Sequence, residues 1–235
     1  EAAYRELKRR MVEGAFAMGA KLRETLLAAD LGISRTPLRH AQNRLAAEGF
    51  VTHEPRRGHR VRIFTSADVA EIYAVRALVE AEAARLAAAR GLSHATLGEL
   101  HALVARMERL LEEEAALGPE EVRSRFLRLN HRFHSLLYGE SGNACLQGII
   151  RQVTELPLVI RNYFNFSDEQ LEASHRDHKA LLQALERREP EQVAIQMREH
   201  ILAARDRILV DAPGNAPLPP EDDLGETADW RDVLG

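Results

Sequence analysis

Apolar residues recur every three or four positions along most of the chain, and the places where that period stops mark out its elements. Tyr4, Leu7, Met11 and Val12 put a helix over residues 2–14, with Gly14 past its end. A short helix over Glu24–Leu31 follows, then Gly32 as a turn residue, then a helix from Arg35 to about Glu48 that Gly49 stops. Ser34 is its N-cap, and Pro37 lies in the first turn, where a missing N–H costs little. Two short helices around a glycine turn form a helix-turn-helix pattern. The period then changes: Phe50–His53 and His59–Ile63 pair as a hairpin whose tip is Pro55-Arg56-Arg57-Gly58. The whole predicts a winged helix over residues 1–65.

Beyond residue 65 no segment shows strand alternation, and six helices are predicted. Val69, Ile72, Tyr73, Arg76, Leu78, Val79, Ala83, Leu86 and Ala87 trace the first, with Ser66 and Asp68 at its start and Gly91 at its end. Ser93 caps the second, which runs to about Leu117; Gly118-Pro119 opens the third, to about Tyr138. The fourth follows the turn Ser141-Gly142-Asn143 and passes Pro157, where a kink is expected. The fifth spans Asp168–Arg188, and the sixth Pro190 to about Val210. The predicted fold class is mainly α: an N-terminal winged helix-turn-helix with a small β-hairpin wing, and a C-terminal all-α six-helix bundle over 66–212. Residues 213–235 carry four of the nine prolines and a net charge of -5, the composition of a flexible acidic tail. Trp230 within it either docks on the body or a partner subunit, or goes unused.

Composition sharpens this picture. Of 235 residues 45% are hydrophobic but only 5% aromatic, so Ala- and Leu-rich helices must fill the bundle. One cysteine, Cys145, excludes an intrachain disulfide framework and favours a reducing, cytoplasmic setting. No apolar run reaches membrane-spanning length and no signal peptide opens the chain, so a soluble protein without a membrane partner is expected. The net charge of -4 hides an asymmetry: residues 1–62 hold 13 Lys and Arg against 7 Asp and Glu, residues 63–235 hold 19 against 29. A basic head on an acidic body implies that the head alone meets a polyanion.

Ser34-Arg35-Thr36-Pro37-Leu38-Arg39 places two arginines and two hydroxyls at the start of the second helix of the helix-turn-helix. That end enters the major groove, where arginine reads a guanine edge with two hydrogen bonds and hydroxyls hold phosphate. Arg35 and Arg39 share a face. Arg56 and Arg57 at the wing tip reach backbone or minor groove, with Gly58 permitting close approach. The bland alternative is a solvated face of ordinary arginines. Gly19-Ala20-Lys21-Leu22-Arg23-Glu24, Leu31 to Arg39, Leu45-Ala46-Ala47-Glu48-Gly49-Phe50-Val51 and Arg56-Arg57-Gly58 together resemble the DNA-binding domain of the GntR family of bacterial transcription regulators. His40-Ala41-Gln42-Asn43 departs from that family's usual Glu-Ala-Leu-Arg, and Gln42 stands at an apolar position.

In the body, Asn130 and His134 lie four apart on one helix, His178 in the fifth helix and His200 in the sixth. Facing helices of a bundle converge such side chains into metal sites, and neutral imidazoles with an amide oxygen suit Zn, Ni or Mn. By spacing alone each histidine reads more readily as a core or surface residue than as a metal ligand. Asn130-His131-Arg132-Phe133-His134-Ser135-Leu136-Leu137, Asp177 to Leu185, Met197-Arg198-Glu199-His200-Ile201 and Tyr73 to Glu80 are similar to the FCD effector-binding domain of the FadR-like GntR subfamily. That resemblance implies that Asn130, His134, His178 and His200 hold a divalent metal, with an organic acid beside it. His131 and His175 fall outside the matching positions and are read as surface residues.

An anionic effector needs a counter-charge: Arg76 and Arg161 are candidates, both equally readable as ion-pair partners, and Thr154 is a polar candidate. The leading reading is a homodimeric repressor that binds a palindromic double-stranded operator and is controlled by a small carboxylate, and it is not an enzyme. The rival is a metal-dependent hydrolase with an accessory DNA-binding-like head, for which no carboxylate is evident as general base and HExxH is lacking. A third reading, an architectural DNA protein, needs no effector at all.

Overall fold

The computed structural model describes residues 1–12, 15–154 and 166–210, and is helical apart from a small N-terminal sheet. Helix α1 (Ala2–Val12) buries Tyr4, Leu7 and Met11. It packs on α3 (Arg35–Ala47), whose Leu38, Ala41, Gln42 and Leu45 face inward. The intervening α2 (Glu24–Asp30) buries Leu27 and Ala28 against α3. Gly32, at φ 63°, is the left-handed residue that turns the chain between them.

The wing strands β2 (Val51–Glu54) and β3 (Gly58–Val61) pair antiparallel, from Val51↔Val61 to Glu54↔Gly58. The tip is closed by the Arg57 N–H donating to the Glu54 carbonyl at 3.0 Å. Arg56 there holds φ 66°, a left-handed conformation that costs a side-chain-bearing residue of order 1 kcal/mol. A further strand, β1 (Lys21–Leu22), lies between α1 and α2 in the chain and pairs with β3, making β3 the centre of three strands. Two residues are too few to show an alternation, which is why the pattern predicted only a hairpin.

Gln42 shows how the departure in α3 is accommodated. It is fully buried, its Nε2 donates to the Leu22 carbonyl of β1 at 3.3 Å, and its Oε1 has no partner. An unsatisfied buried amide oxygen costs about 1–3 kcal/mol. We therefore expect Gln42→Leu to raise the urea midpoint of unfolding, by the equivalent of about 1 kcal/mol.

The long helix α4 (Ser66–Arg90) starts directly after the wing. Its cap is Thr65, one residue before the predicted Ser66: the Thr65 hydroxyl accepts the Asp68 N–H at 3.2 Å, and the Asp68 carboxylate accepts the Thr65 N–H at 2.8 Å. Asp68 is also ion-paired to Arg62, tying the end of the wing to the helix. Ala77, Ala84 and Ala88 on α4 are buried, and their small side chains let α10 (Pro190–Val210) lie close along it with Val193, Met197, Ile201 and Ala204.

The other helices complete the bundle. α5 (His94–Glu112) is capped by the Ser93 hydroxyl, which accepts the Thr96 N–H at 3.0 Å. The single helix expected to Leu117 breaks at Glu113 and resumes as one turn, α6 (Glu114–Leu117). α7 (Pro119–Glu140) begins with its proline in the first turn, and α8 (Ala144–Thr154) follows Gly142 at φ 67°. α9 (Asp168–Glu186) is opened by a capping box of Ser167 and Gln170. Tyr73, Phe126 and Phe133 are fully buried aromatics in a core that is mostly aliphatic. The kink expected at Pro157, Arg161 and the tail with Trp230 lie outside the described residues.

Candidate functional site

Three histidines meet between α7, α9 and α10. Spacing of four puts Asn130, His134 and Tyr138 on one face of α7, and that face turns inward because Phe126, Phe133 and Leu137 anchor the helix in the core. His178 comes from α9 and His200 from α10, and all three imidazoles are buried. One nitrogen of each lies within 4.8 Å of the others. The Nε2 atoms of His134 and His178 are 3.3 Å apart, the His134 and His200 rings stack at 5.2 Å, and Phe133 meets His178 edge-on at 4.7 Å.

Polar side chains behind the rings fix their orientation. The His200 Nδ1 lies 3.0 Å from an Asp177 oxygen, which holds the ring proton there and turns the Nε2 lone pair inward. That Nε2 is buried and has no partner. The His134 Nδ1 lies 3.0 Å from the Tyr138 hydroxyl, which donates to Glu80. Glu80 is wholly buried on α4 and accepts the Arg76 Nε–H at 2.7 Å.

Burial, reinforced by the neighbouring imidazoles, pushes His134 and His178 well below the usual histidine range. Both are neutral near pH 7, the state a metal needs. The unpartnered His200 Nε2, the two facing Nε2 atoms and the carboxylate behind His200 thus fit a divalent cation of the Zn, Ni or Mn kind.

The same burial sets an acid sensitivity. Since the folded-state values lie below the unfolded value of about 6.5, the unfolded chain binds the extra protons. Stability is fully present above about pH 6.5 and is lost as pH falls below it. Each of the two histidines contributes a loss of up to about 1.4 kcal/mol per pH unit, read from urea midpoints of chelator-treated protein.

The other predicted residues fall unevenly. Asn130 is buried one turn before His134. Arg76 is buried in its pair with Glu80, one turn along α4. Thr154 ends α8 with its hydroxyl donating to the Ile150 carbonyl at 2.9 Å, and Arg161 is outside the described residues. His131 is half-buried, and His175 corrects the surface reading: it is buried, 3.9 Å from Glu108, which also binds Lys179 at 2.6 Å.

Sequence reasoning missed Glu80, Tyr138 and Asp177. The first two stand one turn after Arg76 and His134, a signal that spacing offers. Asp177 precedes His178 yet serves His200 on another helix, which no local spacing reveals. Two carboxylates do stand near the histidines, but Asp177 and Glu80 face the outer Nδ1 atoms, as orienting groups do.

At the other end, Ser34, Arg35, Thr36 and Arg39 are all exposed around the start of α3, while Leu38 between them is buried. Ser34 occupies the N-cap position, but its hydroxyl makes no cap bond. Arg56 and Arg57 are exposed at the wing tip, with Gly58 at φ 86° beside them and open space where its side chain would be. Head charge is distributed unevenly. Arg5, Arg9 and Arg10 of α1 are ion-paired to Glu1, Glu6 and Asp30. Among the described residues no ion pair is formed by Lys21, Arg23, Arg35, Arg56 or Arg57, which flank β1, α2, α3 and the wing. The uncompensated positive charge therefore sits around the helix-turn-helix and wing.

A winged helix-turn-helix joined to a helical bundle with a buried polar centre defines the class: a DNA-binding transcription regulator. The chain belongs to the GntR family. Residues 1–61 match the model for bacterial regulatory proteins of the gntR family, and residues 71–203 match the FCD domain. It is 30% identical over 200 residues to the HTH-type transcriptional regulator YdhC of Bacillus subtilis, covering 85% of this chain and 84% of that one. It is 29% identical to the HTH-type transcriptional repressor GlaR of Escherichia coli, covering 85% and 90%. Among solved structures it is similar to E. coli McbR/YncC, with TM-score 0.66 and 25% identity over 86% of this chain and 92% of that one. Among the described residues no helix is long and apolar enough to cross a membrane.

Proposed function

We propose that this regulator is a cytoplasmic, homodimeric repressor that binds a palindromic operator through residues 1–65 and senses a small carboxylate through residues 66–212, with 213–235 as an acidic appendage. The observation that carries the sensing role is the buried trio His134, His178 and His200, with one lone pair unpartnered and two carboxylates orienting the rings. Together with Asn130 these residues would hold a divalent metal. When bound, the ion supplies a fixed positive charge able to take a carboxylate oxygen. Arg76, beside Glu80, would answer a second oxygen, and Thr154 and Arg161 remain the further candidates.

In the head, Ser34, Arg35, Thr36 and Arg39 would address the major groove and Arg56, Arg57 and Gly58 the flanking backbone or minor groove. The exposure of these side chains and the uncompensated charge around them support this. A family of relatives that includes named repressors supports negative control. A carboxylate that binds one dimer arrangement better than another would change operator affinity by that difference.

The test combines metal analysis of the purified chain with a thermal-shift screen of organic acids, followed by gel shifts on its own promoter DNA. We expect a stoichiometric divalent ion, a melting shift with one class of acid, and release of DNA by that acid. No shift of promoter DNA at low salt would overturn the DNA reading. An acid response unchanged after metal removal would overturn the metal pocket.

A further inference from the structure

Arg39 is not free in the folded head. From α3 its Nε–H donates to Glu24 Oε1 at 3.1 Å and its Nη2–H to Glu24 Oε2 at 2.8 Å, across fifteen residues of chain. This is a two-bond fork, the geometry in which a guanidinium and a carboxylate fix each other's plane. The guanidinium has two usable edges, and Glu24 occupies the inner one, Nε with Nη2. The outer edge, Nη1 with Nη2, remains on a side chain that is 61% exposed, while Glu24 is only 25% exposed.

Placing a carboxylate here is electrostatically adverse for a surface that approaches phosphates. Glu24 opens α2 directly after Arg23, and the charge of Arg35 also acts on it, so it stands inside the positive field that attracts DNA. An untethered arginine would strengthen binding to any duplex. A tethered one loses that freedom but presents one edge in one orientation, with its rotamer entropy already spent.

We propose that Glu24 is a positioning residue for DNA recognition, holding Arg39 so that its outer guanidinium edge faces the base pairs, and thereby exchanging general DNA affinity for discrimination between sequences. This rests on α3 being the base-reading helix. Arg35, which makes no ion pair among the described residues, is the untethered counterpart on the same face.

The test uses the full chain and two probes: a duplex enriched by wild-type protein from a random-sequence pool, and a scrambled duplex of equal length. Glu24→Gln keeps the shape but removes the charge and one acceptor. It is expected to bind scrambled DNA more tightly, to steepen the slope of log Kd against log salt by up to about one, and to lower the enriched-over-scrambled ratio about tenfold. Glu24→Asp keeps the charge but withdraws it by one methylene. It is expected to lose discrimination without the gain on scrambled DNA, and it remains informative if the glutamine variant fails to fold.

In an Arg39→Ala background, Glu24→Gln should no longer change the ratio. If Arg39→Ala weakens binding to the enriched duplex while Glu24→Gln and Glu24→Asp keep the wild-type ratio, the pair only braces α2 against α3 and the proposal is overturned. If Arg39→Ala leaves enriched-duplex affinity unchanged, Arg39 reads no base and the proposal is overturned, while Arg35→Ala separately tests whether α3 reads bases at all.

Discussion

Returning a divalent ion to chelator-treated protein is expected to raise its melting temperature by about 5–10 °C, and the rise is expected to vanish in His200→Ala. Ligand at a hundred times its dissociation constant adds about 2.7 kcal/mol by mass action, and for a chain of this size each kcal/mol moves the midpoint by about 2–4 °C. His200 is the informative position because its Nε2 is buried without a protein partner, while Asp177 secures the opposite nitrogen. The truncation also leaves a cavity and lowers the metal-free melting point, so the quantity to compare is the shift within each variant. His175→Ala serves as control: it too removes a buried imidazole from α9, but one outside the trio, and the metal response should persist. A full response in His200→Ala would remove the trio as the metal centre.

Arg35→Ala is expected to weaken binding to the selected operator about 5- to 150-fold, the range for removing one two-bond arginine–base interaction. Arg35 is exposed on the first turn of α3 and takes part in no ion pair among the described residues, so the unfolding midpoint should stay within about 0.5 kcal/mol of wild type. Arg57→Ala at the wing tip supplies the opposite case. Removing a phosphate-binding cation there should weaken all sequences nearly equally and reduce the salt slope by about one. Competition binding at several salt concentrations separates the two outcomes. Equal weakening of operator and scrambled DNA by Arg35→Ala would assign that side chain to the backbone.

The helices were legible because their apolar periods are long and their ends carry Gly, Pro or hydroxyl residues, as at Gly91, Ser93 and Pro119. β1 was not, since a two-residue strand exists only through its partner β3. The break at Glu113 escaped for a related reason: the apolar stripe continues to Leu117 while the hydrogen-bond ladder does not. In the site, His134, His178 and His200 were nameable by residue type and a family likeness. Of the groups that orient them, Tyr138 follows His134 by one turn and Glu80 follows Arg76, but which histidines the two carboxylates serve is not legible, because Glu80 and Asp177 reach histidines on other helices. Arg39 is a candidate by charge and position, yet its tether to Glu24 depends on how α2 crosses α3, which no periodicity encodes.

The capping box at Thr65 has a mechanical meaning. From Asp68, tied to Arg62 at the end of the wing, to Glu80, tied through Tyr138 to His134, α4 runs unbroken for twelve residues, about 18 Å. A continuous helix of that length behaves as a strut. A displacement of Glu80, if an ion or effector at the histidine centre produced one, would therefore reach the root of the wing along one continuous helix.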